Sequence, residues 1–65
     1  MKRSKLVRYL AENGCYLVRE GARHSVYSNP RASLSATVPR HTELGDAFAE
    51  AICKQLGLPK IRKGK

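Results

Sequence analysis

The chain has 65 residues, 13 Lys or Arg against five Asp or Glu, a formal net charge of +8 and a sequence pI of about 10.1. That length allows one domain with a thin core, and 42% hydrophobic with 28% charged residues excludes a chain disordered by composition. The charge favours an anionic partner, while the absence of a long apolar run or a signal-peptide pattern argues against membrane insertion or export. A cytoplasmic location is expected, where Cys15 and Cys53 stay reduced as core thiols.

The positive charge is unevenly placed. Lys2, Arg3, Lys60, Arg62, Lys63 and Lys65 lie at the two ends, which read as basic tails over 1–3 and 59–65 around a folded part over 4–58. Within that folded part seven basic residues meet five acids. Three acids (Glu43, Asp46 and Glu50) gather at the start of the last helix, leaving Glu20 against Arg19, Arg23, Arg31 and Arg40 in the sheet and turns.

Ser4 is the expected N-cap of a first helix whose stripe is Leu6, Val7 and Leu10, ended by Asn13-Gly14. Cys15 to Glu20 and Arg23 to Ser28 read as a hairpin closed by a Gly21-Ala22 turn. That register pairs Glu20 with Arg23, Arg19 with His24, Leu17 with Val26 and Tyr16 with Tyr27. Strict alternation then puts Cys15, Leu17, Arg19, His24 and Val26 on the core face and Tyr16, Val18, Ser25 and Tyr27 on the other. Asn29 to Ser33 form a loop, and Leu34 to Val38 a third strand with Leu34, Ala36 and Val38 aligned. Thr42 or Asp46 caps a second helix with a core stripe of Phe48, Ile52 and Leu56, stopped by Leu56-Gly57-Leu58-Pro59.

The expected fold is therefore α+β, in the order α-β-β-β-α, with a three-stranded antiparallel sheet and both helices on one face. That is the layer plan of a double-stranded-RNA-binding domain.

His24 is the residue most suggestive of chemistry. Imidazole takes and gives a proton near neutral pH without a metal. A histidine beside arginines in a basic chain points to a phosphate backbone. The histidine-arginine pairing recurs at Arg40-His41, just before the last helix. A zinc site built from Cys15, Cys53, His24 and His41 is not expected, because no close pair such as Cys-x-x-Cys occurs. No metal and no cofactor are expected. Tyr9, Tyr16 and Tyr27 are candidates for base stacking, or for structural roles in the helix and hairpin.

The segments Lys5-Leu6-Val7-Arg8-Tyr9-Leu10, Asn13-Gly14-Cys15, Arg19 to Tyr27, Val38-Pro39-Arg40-His41 and Ile52-Cys53-Lys54-Gln55-Leu56-Gly57, in this order, resemble the HicA family of bacterial toxins. The resemblance spans Ser4 to Leu58. It implies a metal-independent endoribonuclease that cuts mRNA, with His24 as the catalytic group and a HicB-like antitoxin as partner. It also implies a toxin that is monomeric by itself and part of a larger oligomer with the antitoxin. In that family a Gly-Ser pair precedes the histidine. Here the preceding residues are Ala22 and Arg23, and the glycine stands at position 21.

RNA carries its own nucleophile, the 2′-hydroxyl, so a base, a phosphate clamp and an acid suffice. His24 is the candidate base, with Arg19, Arg23, Arg40 and Lys5 as phosphate ligands. Water, Tyr27 or His41 could supply the acid. Two readings compete: a non-catalytic RNA-binding module of the same fold, and a protein-binding element whose sheet face is the antitoxin's docking surface. DNA recognition is weaker, since no helix carries a dense basic or amide row.

Overall fold

A computed structural model describes residues 1–59, so residues 60–65, and with them most of the expected tail over 59–65, lie outside the described residues. The elements are α1 (Arg3–Glu12), β1 (Tyr16–Glu20), β2 (His24–Asn29), β3 (Leu34–Pro39) and α2 (Asp46–Gln55). The strands form one antiparallel sheet in the order β1-β2-β3. Both helices pack on the same face, because Leu6 and Leu10 of α1 and Ala49, Ile52 and Cys53 of α2 share one core with Tyr27, Ala36 and Val38. The expected α-β-β-β-α architecture is the observed one.

Both helices end the same way. After α1, Gly14 N–H donates to Ala11 O (3.1 Å) and Cys15 N–H to Leu10 O (2.9 Å). After α2, Gly57 N–H donates to Lys54 O (3.0 Å) and Leu58 N–H to Cys53 O (2.9 Å). These paired bonds form a Schellman motif, which needs a left-handed residue at the turn; Gly57 supplies it at φ +72. The helix starts differ from expectation. Ser4 lies inside α1, whose N-cap is Lys2, and α2 is capped by Gly45 rather than Thr42 or Asp46; neither cap makes a side-chain hydrogen bond.

Residues 1–3, expected as a tail, are tied into the fold. Arg3 N–H donates to Thr42 O (2.8 Å), Leu44 N–H to Met1 O (2.8 Å), and Lys2 and Glu43 form a β-bridge. Backbone pairing to the segment before α2 thus does the work expected of a Ser4 cap.

The hairpin departs from the expected register. Glu20 pairs with Ser25 and Arg19 with Val26, but Leu17 pairs with Tyr27 and Tyr16 with Ser28. The register shifts between Leu17 and Arg19, leaving Val18 as a bulge. One extra residue reverses the facing of everything beyond it, so Leu17 and Arg19 point to opposite faces despite their spacing. Consequently Ser25, Tyr27 and Asn29 of β2 face the core, while His24 and Val26 lie on the outer face. Tyr27 is only 9% exposed. The expected assignment of these two sets is therefore inverted on β2.

The buried polar groups are all satisfied among the described residues. Asn29, expected in the loop, ends β2; its Nδ2 donates to Leu56 O at the end of α2 (2.7 Å) and its Oδ1 accepts from Arg31 N–H (3.2 Å). Phe48 is 46% exposed rather than core. The buried stripe of α2 runs through Ala49, Ile52, Cys53 and Leu56, at i, i+3, i+4 and i+7. Phe48 lies about 90° from the middle of that stripe at 100° per residue. Edge strand β1 is exposed along its length, with Leu17 at 44% and Val18 at 55%.

Candidate functional site

The β1–β2 turn and the segment after β3 meet at one end of the sheet. Gly21 N–H donates to His24 O (2.7 Å), so Ala22 and Arg23 form the tip of the turn, one residue later than expected. A side chain at position 21 would sit 3.1 Å from that carbonyl oxygen, so the close approach favours glycine there. His24 opens β2 opposite Pro39, the last residue of β3. Arg40 N–H donates to Arg23 O (3.3 Å), continuing the ladder past Pro39. Ala22, Arg23, His24, Arg40 and His41 thereby line one open concavity of ≈ 560 Å³.

A chain of polar contacts holds this end together. Arg3 Nε donates to Pro39 O (2.7 Å) and Arg3 Nη2 to Ser25 Oγ (3.0 Å). The Ser25 hydroxyl donates to Glu20 Oε2 (3.3 Å). The same carboxylate oxygen accepts from Arg40 Nη1, which also donates to Gly21 O (3.2 Å). Residues from α1, β1, β2 and the segment after β3 are thus joined behind the concavity.

The expected site residues separate into three groups. His24, Arg23, Arg40 and His41 come together. Of these, Arg40 is committed to Glu20, whereas Arg23 makes no ion pair among the described residues. Arg19 stands opposite Val26 on the outer face and is not opposite His24, and Lys5 lines a separate depression beside α1. Tyr27 is in the core, so it presents no surface for stacking and no acid to the concavity. Tyr9 is also structural: its hydroxyl donates to Pro59 O (2.9 Å), and burial, then the nearby Cys53, raises the phenol above its ordinary range.

Sequence reasoning missed Arg3, Glu20 and Ser25 as the framework of the site. Glu20 did carry a signal, as the one acid among four arginines of the sheet and turns. Arg3 gave none, because an arginine three residues from the start looks like tail until its backbone partner is known. Among the described residues no group of three His, Cys, Asp or Glu is placed to hold a metal ion. None of their helices is long and apolar enough to cross a membrane.

The sequence matches the family described as HicA toxin of bacterial toxin-antitoxin over residues 3–58. The chain belongs to the HicA toxin family. The match begins at the arginine that braces the site and ends at the leucine closing the second Schellman motif, so it covers nearly all of the chain. As a HicA toxin it is the toxin half of a toxin–antitoxin pair, and an antitoxin is its implied partner. Comparison with curated proteins finds no match, nor does comparison with solved structures.

Proposed function

We propose that this HicA toxin is a metal-independent endoribonuclease acting on mRNA, with the concavity at His24 as its catalytic site and a HicB-like antitoxin as the protein that silences it. The supporting observation is the convergence of His24, His41 and Arg23 on one open, positively charged concavity. Two imidazoles in one site can divide the work of general base and general acid.

In this reading His24 accepts the proton of an RNA 2′-hydroxyl as that oxygen attacks phosphorus. Arg23 stabilises the charge on the non-bridging oxygens. The P–O5′ bond breaks, and His41 gives a proton to the departing 5′ oxygen. The products are a 2′,3′-cyclic phosphate and a 5′-hydroxyl. Arg40, on the wall of the concavity, fixes the turn to the segment bearing His41. The role is assigned to Arg40 because its guanidinium spans Glu20 and Gly21 O. A HicB-like antitoxin that covers the open concavity would block this chemistry without unfolding the toxin.

The chemistry is tested with matched RNA and all-2′-deoxy oligonucleotides. RNA should yield cyclic-phosphate and 5′-hydroxyl ends while the deoxy strand stays intact. Cleavage of both strands, or 5′-phosphate ends, would overturn the 2′-hydroxyl mechanism. Binding of RNA without cleavage would favour the non-catalytic module of the same fold.

A further inference from the structure

α1 turns a second basic surface outward. Ser4, Lys5 and Arg8 are exposed on the side of the helix away from Leu6 and Leu10. Lys5 and Arg8 stand at i, i+3, which places their Cβ atoms about 5–6 Å apart. With Met1, Lys2 and Glu43 they line an open depression of ≈ 540 Å³. Its acid is already engaged, since Glu43 lies 3.3 Å from the Met1 nitrogen and 3.9 Å from Lys2 Nζ. Lys5 and Arg8 make no ion pair among the described residues. Both side chains are exposed to solvent, and Glu12, four residues beyond Arg8, makes no ion pair with it.

The position of this depression matters as much as its sign. The Lys2–Glu43 bridge and the Arg3 N–H bond to Thr42 O lay the start of α1 along the segment that follows His41. His41 lines the catalytic concavity and Glu43 lines the α1 depression. Two residues of extended chain span at most about 7 Å. The two basic hollows therefore adjoin across Thr42, and the acids bordering them, Glu20 and Glu43, are both paired with cations.

We propose that the α1 depression, through Lys5 and Arg8, binds the phosphate backbone of the same RNA strand whose scissile phosphate occupies the His24 concavity. This rests on the ribonuclease reading of that concavity. Contacts to phosphate carry no base information, so the added hold is blind to sequence and sensitive to strand length and to salt. A single RNA strand fits the arrangement because the short segment from His41 to Glu43 borders both hollows.

The test uses 2′-O-methyl RNA, which lacks the attacking hydroxyl and cannot be cut by the proposed route, as a twelve-nucleotide strand and as a dinucleotide. Kd is measured across a salt series for the native chain and for Lys5→Gln/Arg8→Gln. Each phosphate contact to a single strand contributes about 0.7 to the slope of log K against log salt, so losing two should lower that slope by about 1.4 and weaken the long strand by about tenfold or more. The preference for the long strand over the dinucleotide should fall with it. Unchanged affinity and slope would overturn the proposal. So would an equal loss on the dinucleotide, which would place the two side chains at the first hollow. Because the probe does not react, the expected losses in a protein that cleaves no RNA would sustain the second binding surface and reject the nuclease reading.

Discussion

Glu20 and Ser25 face each other across the β1–β2 ladder, and the Ser25 hydroxyl donates to Glu20 Oε2 at 3.3 Å. That contact is the middle of a chain running from Arg3 on α1 to Arg40 beside the concavity. The serine is fully buried, yet the carboxylate it touches reaches the surface. The core is thus wired to the rim of the site through one hydroxyl.

Replacing Ser25 with Ala removes an acceptor from the half-buried Arg3 and a donor from Glu20. The expected destabilisation is about 1–3 kcal/mol, read as a lower urea midpoint with an unchanged slope. A midpoint equal to that of the native chain would show that water replaces the serine without loss.

Glu20→Gln should separate stability from activity. The Glu20–Arg40 pair is roughly half exposed on both sides, so its loss should cost at most about 1 kcal/mol of stability. If Arg40 positions the turn that carries His24, kcat should fall by about tenfold or more, since small misplacements of reacting groups are costly. Equal kcat values would reduce Arg40 to a surface contact.

Phe48 and Ile52 offer a contrast within one helix. Ile52 is buried, and Ile52→Ala should cost about 2–5 kcal/mol. Phe48→Ser, at a position nearly half exposed, should cost clearly less. A larger loss at Phe48 than at Ile52 would contradict the observed orientation of α2.

Burial raises the Cys15 thiol above its ordinary ionisation range. A thiol in the unfolded chain ionises near 8.5, so the unfolded state loses this proton at a lower pH than the native state. The stability held by the neutral thiol is complete below about pH 8.5 and is lost as pH rises through the higher native value. Cys15→Ala should therefore show a shallower alkaline decline in unfolding free energy than the native chain. Parallel declines would mean that Cys15 does not contribute.

Periodicity and turn chemistry carried the element order and both helix ends, because Asn13-Gly14 and Leu56-Gly57-Leu58 encode local geometry. The faces of the hairpin were hidden for two physical reasons. The bulge at Val18 has no marker in Leu17-Val18-Arg19, which alternates acceptably in either register. Ser25 and Asn29 also look like outward-facing polar residues until Arg3 and the end of α2 are seen to satisfy them. Phe48 shows the same limit in a helix, since its i+4 link to Ile52 says nothing about which side of the stripe meets the sheet. At the site, His24, Arg23, Arg40 and His41 were legible from local sequence, whereas Arg19 and Tyr27 were assigned through the register and moved with it. The bracing by Arg3 depends on contacts about 22 and 36 residues away, beyond any local pattern.

The role proposed for His24 is metal-free RNA cleavage. The direct measurement is the cleavage rate of a long single-stranded RNA in EDTA by the native chain and by a His24→Ala variant of equal thermal stability. The expected result is cleavage by the native chain and a loss of at least about 10²-fold in the variant, the lower range of general acid–base assistance. Equal rates in the two proteins, or no cleavage by the native chain until a divalent metal is restored, would contradict it.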